Sequence, residues 1–383
     1  MRPLELSAEE FRRLAGEVVD LSAQYLSNLD TRPIHPATSG AETERLFSED
    51  LPERGLGAGA LAALADVAAH SRAQNGRFFG YVQGPGEPVA ALGDLAASIL
   101  NQNMTAWRSS PSGVTIERTV VRWLAQAVGC GEFFGTLTGG GSAANLMGLT
   151  MAREAKTPAN ERGLRNAPRG VVYASEQVHM AVPKAVAMIG MGRENLRTIS
   201  CDDSYRMIPS ALEEAIRQDK NRGLTPVAVV ASAGTVNTGA IDPLREIAEI
   251  ARAQGVWMHV DGAYGALAAI TVPEKFDGLA MADSLSLDPH KWMYQPLDCG
   301  CLLYRDLEMA RQTFKYTGDY AKQLSSDVVE GFAFFEESIE LSRRFRALKL
   351  WLSLRYRAGI VSCGNRTRPR ACPAAGRGSR PVS

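Results

Sequence analysis

From about residue 130 the chain alternates short, mostly apolar runs with amphipathic helical stretches, and few folds can accommodate that rhythm. The runs are VVYAS (171–175), VAVVAS (227–232), VWMHVD (256–261), ADSLSL (282–287) and GCLLY (300–304). Helical patterns lie between them over 209–219 and 243–254, the second opening at Pro243 directly after Asp242, which reads as its cap. Strands that are apolar on both faces and spaced by helices predict an α/β fold, with a mainly parallel sheet covered by helices on both sides. In such sheets ligands bind at the carboxyl ends of the strands, so the residues just after each run matter most.

Ahead of this region, residues 7–29 place Phe11, Leu14, Val18, Leu21, Tyr25 and Leu29 at steps of three and four. Ser7 with Glu10 three positions later makes a capping-box pattern, so a helix with one apolar stripe is expected. No internal repeat is visible. The chain has 383 residues with 45% hydrophobic and 22% charged content, enough to bury a core. Its 42 basic residues balance 42 acidic ones, which speaks against nucleic acid or an anionic membrane as partner. No apolar stretch is long enough to span a membrane, the start of the chain does not read as a signal peptide, and the cytoplasm is the expected compartment. Six cysteines without a CxxC pair predict neither a disulfide framework nor a metal site. Residues 357–383 differ from the rest: six Arg, no acid and no helical or strand period. They are expected to form a disordered tail or to come from a shifted reading frame, the latter consistent with Arg outnumbering Lys 34 to 8.

Three strand-end motifs carry chemistry. After Leu137 the chain reads TGGGSAANLMGLTMARE, a glycine turn running into a helix whose first amides and dipole suit an anion. It is neither a Walker loop nor a dinucleotide fingerprint, and a tight packing turn would look the same. In HVDGAYG, strand alternation puts His259 and Asp261 on one face, with Asp261 at the carboxyl end; a helix cap or structural ion pair is the plainer alternative. In SLDPHKWMYQPLDCG, Lys291 follows a strand and sits between His290 and Trp292. A lysine beside a cation and aromatic bulk suits Schiff-base chemistry, although most single lysines are simply solvated. Together the three meet the needs of pyridoxal 5'-phosphate: an imine lysine, a carboxylate for the pyridine nitrogen and a phosphate cradle.

The sequence also resembles the pyridoxal-phosphate-dependent group II amino-acid decarboxylases, in the aromatic-L-amino-acid decarboxylase branch. The resemblance runs from the N-terminal helix to about residue 356 and rests on RFFGYVQGP, SPSGVTIE, GGGSAANLMGL, SEQVHMAVPKA, ASAGTVNTGAID, HVDGAYG, SLDPHKW and SRRFRALKLWLSLRY. It implies the fold-type I architecture and a homodimer with active sites built across the subunit interface. Residues 1–75 would wrap the partner, 76–356 would form the cofactor-binding large domain, and the tail would stand where relatives carry a small C-terminal domain.

The resemblance also implies roles. Lys291 matches the imine lysine, Asp261 the pyridinium partner and His179 the imidazole stacked on the ring. Gly141 and Ser142 match the phosphate loop, Asp288 and His290 supply polar contacts beside the lysine, and Thr235 and Ala263 pack near the ring. Tyr320, in KYTGDYAKQLSS, matches the tyrosine that returns a proton to the α-carbon; relatives with Phe there form aldehydes. The substrate pocket would include Ala73, Tyr81 and Val82, with Asn103 and Thr105 contributed from the partner subunit. That set is smaller and more polar than in animal relatives. The implied reaction is decarboxylation of an L-amino acid, with an aromatic side chain expected; an aldehyde synthase, an aminotransferase and a truncated non-catalytic relative are the alternatives.

Overall fold

The structure is a computed structural model that describes residues 5–316 and 327–357. The chain divides into two compact units, Met1–Pro85 and Gly86–Ser383. Tyr320, and the expected tail from residue 358 onward, lie outside the described residues.

In the first unit the expected helix forms as Ala8–Ser27, with Ser7 accepting from the Glu10 amide at 3.1 Å. The reciprocal half of the capping box does not form, because the Glu10 carboxylate pairs with Arg13 one turn on, at 2.9 Å and 3.1 Å. A complete capping box stands instead at the helix Gly40–Phe47, between Ser39 and Glu42. A third helix, Ala63–His70, leads into a loop tied down by Asn75, whose amide donates to the carbonyls of Leu29 and Arg32. Tyr81 and Val82 both take positive φ, 59° and 52°, an uncommon choice that is most costly for a β-branched side chain.

The second unit holds a seven-stranded sheet: β1 Phe134–Thr138, β2 Gly170–Ser175, β3 Leu196–Ile199, β4 Thr225–Ser232, β5 Trp257–Asp261, β6 Ser284–Leu287 and β7 Gly300–Tyr304. Their order is β1-β7-β6-β5-β4-β2-β3. Only β7 runs antiparallel, to both of its neighbours. The expected strands are all present. β3, polar at Arg197 and Thr198, gave no such signal because an edge strand pairs on one side only.

Alternate residues feed two apolar layers. Val229, Ala231, Met258, Val260, Leu285 and Leu303 face one, and Ala228, Val230, Trp257 and Leu302 face the other. Both faces of the sheet are therefore dry, as the apolar runs predict. The helix Gly141–Lys156 covers the second face, over β4 to β7.

Asp242 corrects the sequence-based expectation of a helix cap. The helix is Leu244–Gln254 and Pro243 occupies its N-cap position. The buried Asp242 carboxylate instead accepts from the amides of Met207 and Ser232, each at 2.7 Å, joining two loops to the end of β4. Burial pushes this carboxyl up to about 6. Near the end of β1, the buried Arg343 pairs with Glu117 of the helix Pro111–Ala127 and donates to Thr136 Oγ1 and the carbonyls of Leu137 and Met104.

Candidate active site

Parallel pairing aligns the carboxyl ends of the central strands, so Asp261 lies opposite Ser232 of β4 and Ser286 of β6. The antiparallel β7 places its first residue, Gly300, beside Thr138, the last of β1. The turn between β1 and the helix Gly141–Lys156 therefore opens onto the same sheet edge as β4, β5 and β6. There the three motifs meet in one cavity of about 290 Å³. Gly141, Ser142, His179, Thr235, Asp261, Ala263, Asp288, His290 and Lys291 all border it.

The glycine turn is shaped by close packing. Gly140 has φ +131°, in the region that favours glycine, and a Cβ on Gly141 would stand 2.6 Å from Ala263 Cβ and 2.9 Å from Asp288 Oδ2. The Gly140 carbonyl accepts from the amides of Ala143 and Ala144, so the amides of Gly141 and Ser142 precede the helix's first internal bonds. That is the donor set an anion needs.

Asp261 closes β5 and receives donors on both oxygens. Asn145 Nδ2 donates to Oδ2 at 3.0 Å, while Ser286 Oγ and the Ala263 amide donate to Oδ1 at 3.2 Å. Lys291, on the short helix Pro289–Trp292, holds its ammonium 3.0 Å from Asp288 Oδ2. The sequence neighbours set a cation beside this lysine; in space its ion-pair partner is an anion. His290 turns its Nδ1 to donate to the Cys299 carbonyl at 2.7 Å and leaves Nε2 3.6 Å from Asp288. Burial pushes the Asp288 carboxyl up, against the pull of Lys291 and His290. Its Oδ1 is buried and has no hydrogen-bond partner. An anion cradle, an acceptor carboxylate, a primary amine and an unsatisfied buried oxygen in one cavity fit a polar, phosphorylated aldehyde such as pyridoxal phosphate.

His179 follows β2 and accepts from the Ala181 amide through Nδ1 at 3.2 Å. Thr235 sits in a turn after β4, with its hydroxyl 2.7 Å from that of Thr238. The other pocket residues expected from the sequence are Asn103 and Thr105, in this unit, and Ala73, Tyr81 and Val82, in the first. Asn103 accepts from the Arg343 amide at 3.0 Å, and the Thr105 carbonyl accepts from Phe335, so both brace the 332–345 segment. Ala73, Tyr81 and Val82 belong to the first unit, where Tyr81 packs against Phe78 and Arg72. The sequence reading missed Asn145, Val236, Tyr264 and Leu297, which also line the cavity. All four stand inside motifs quoted above, but none is itself the acid, the amine or a glycine of the turn, so none was singled out.

Sheet order, strand-end chemistry and cavity together define a fold-type I pyridoxal-phosphate enzyme. Residues 64–368 match the pyridoxal-dependent decarboxylase conserved domain, and the chain belongs to that family. The aromatic-L-amino-acid decarboxylase of Bacillus atrophaeus is 36% identical over 358 residues, which cover 92% of this chain and 73% of that protein. Petunia hybrida phenylacetaldehyde synthase is 32% identical over 365 residues, covering 91% and 72%. The crystal structure of Oryza sativa TDC with PLP and tryptamine matches with a TM-score of 0.82 at 29% identity, over 93% of this chain and 76% of that one. Pyridoxal phosphate is thus the cofactor and amino-acid decarboxylation the class of reaction.

Proposed function

We propose that the chain converts a neutral, aromatic L-amino acid to its amine and CO₂. The observation that carries this is the make-up of the cavity: Lys291 and Asp261 line it together with Val236, Leu297 and the aromatic Tyr264, and there is no arginine among the described lining residues. A side-chain carboxylate would find no cation to receive it other than those the cofactor engages. The named activities of the Bacillus and Petunia relatives point to the same substrate class.

In this reading Lys291 would hold the cofactor through its side-chain amine, and Asp288, 3.0 Å from that nitrogen, would pair with it as an ammonium whenever it is free. Gly141 and Ser142 would hold the phosphate end, and Asp288 and His290 would supply polar contacts beside the lysine. Asp261 would keep a proton on the ring nitrogen, His179 would stack on the ring, and Thr235 and Ala263 would pack beside it. The bound cofactor supplies an electron sink for the pair left on the α-carbon when the bond to the carboxylate breaks. A proton then replaces CO₂ at that carbon, and Tyr320, outside the described residues, is the donor. The chain works as a cytoplasmic homodimer. A row of exposed apolar residues on the helix Pro88–Leu100 (Leu92, Leu95, Ile99 and Leu100) supports self-association, and the buried thiols of Cys130, Cys299 and Cys301 suit a reducing compartment.

The test is product analysis on purified holoprotein with a panel of L-amino acids. Amine and CO₂ in equal amounts from Trp, Tyr or Phe are expected, with Glu and Asp inert. Turnover of the acidic pair alone would overturn the substrate class. The Petunia relative favours a second reading, oxidative formation of an aldehyde with peroxide. Under the first reading Tyr320→Phe shifts products toward aldehyde; unchanged amine output removes Tyr320 from the mechanism.

A further inference from the structure

Behind Asp261 runs a buried line of hydrogen bonds. Trp257 Nε1 donates to Ser284 Oγ at 2.9 Å, and Ser284 Oγ lies 2.8 Å from His259 Nδ1. His259 Nε2 lies 2.8 Å from Asn145 Oδ1, and Asn145 Nδ2 donates to Asp261 Oδ2 at 3.0 Å. His259 and Ser284 are wholly buried, and Asn145 is 1% exposed. Three elements contribute: β5, β6 and the helix lying over them.

Both ends of this line fix the same direction. The indole N–H can only donate and a carboxylate can only accept. Asp261 therefore requires the amide nitrogen of Asn145, which turns the amide oxygen to His259 and requires an N–H at Nε2. A neutral ring must then accept at Nδ1, which the Ser284 hydroxyl satisfies because its oxygen already receives the indole proton. Burial holds the His259 imidazole down to about 4, against the pull of Asp261, so the ring is neutral under ordinary conditions. The helix makes room for it: a Cβ on Gly148, one turn beyond Asn145, would lie 2.6 Å from both Cε1 and Nδ1 of His259.

We propose that Asn145, His259 and Ser284 are positioning residues, a one-way hydrogen-bond chain that locks the Asp261 carboxylate as an oriented acceptor for the protonated ring nitrogen of the cofactor. This rests on the role given to Asp261 above. If that amide were free to rotate, its oxygen could face the carboxylate and repel it. The three residues touch neither substrate nor reacting atoms; they act through Asp261.

The readout is the nitrogen-15 chemical shift of ring-labelled pyridoxal phosphate bound to the full chain, measured with the cofactor's dissociation constant. Asp261→Ala should move the shift to that of an unprotonated ring. Asn145→Leu and His259→Leu should move it part of the way and weaken cofactor binding about tenfold, the equivalent of one lost hydrogen bond to a charged group. Ser284→Ala, the mildest change, should give a smaller shift in the same direction, and His259→Gln, which retains a donor for Asn145, should restore most of the effect. A wild-type ring shift in Asn145→Leu and Ser284→Ala, with Asp261→Ala displaced, would overturn the chain and leave Asp261 standing. An unmoved shift in Asp261→Ala would instead remove the role of Asp261 and the chain with it. Should the leucine variants not fold, Ser284→Ala and His259→Gln decide the matter alone.

Discussion

Asn145 donates to Asp261 across 3.0 Å although 116 positions separate them in the chain. The contact exists because the helix that begins at the glycine turn lies directly over β5, so one element both presents the first amides of a helix start and braces the strand-end acid one turn later. The sites proposed for the phosphate and for the ring nitrogen are in this way parts of one rigid piece.

His259 predicts a pH dependence of stability. Its folded value of about 4 lies below the ordinary 6.5 because of burial, so the unfolded chain binds the proton more tightly. The stabilisation is full above pH 6.5 and is lost as pH falls toward 4, by about 3 kcal/mol in total. Urea unfolding of wild type and His259→Gln from pH 7.5 to 4 should show a gap that narrows over that window. A gap independent of pH would mean that the ring is not held neutral.

Gly148→Ala should destabilise the protein by about 1–3 kcal/mol, because the added methyl meets an imidazole fixed at both nitrogens. Pairing it with His259→Ala in a double-mutant cycle should recover most of the loss. Strict additivity would show that the two residues do not compete for the same space.

Arg343 and Glu117 form a buried ion pair with further bonds to Thr136, Leu137 and Met104. Glu117→Gln or Arg343→Met alone should cost about 3–5 kcal/mol by stranding a buried charge or its donors. Arg343→Met with Glu117→Leu together should cost less than the two single changes added. Thermal unfolding midpoints of the four proteins test this directly.

Much of the site was legible in the sequence for a physical reason. Lys291, Asp261 and the glycine turn each follow an apolar run, and the topology of a parallel sheet gathers such positions at one edge. Asn145 was not legible, because a helix residue gains its meaning only from the strand beneath it. Asp242 was misread: an acid before Pro-Leu looks like a cap, yet its two amide partners come from Met207 and Ser232, which no local pattern reveals. The partner of Lys291 was likewise hidden. His290 is its neighbour in sequence, but the helical turn brings Asp288 to the ammonium. β3 escaped notice because its exposed edge tolerates Arg197 and Thr198.

The central claim is that Lys291 carries pyridoxal phosphate in this cavity. The most direct measurement is a visible absorption titration of the full chain with pyridoxal phosphate, followed by borohydride reduction and peptide mapping, with Lys291→Ala alongside. A saturable band in the wild type, with the reduced cofactor on Lys291 and no band in the variant, is the predicted result. A band of equal strength in Lys291→Ala, or a label on another lysine, would contradict it.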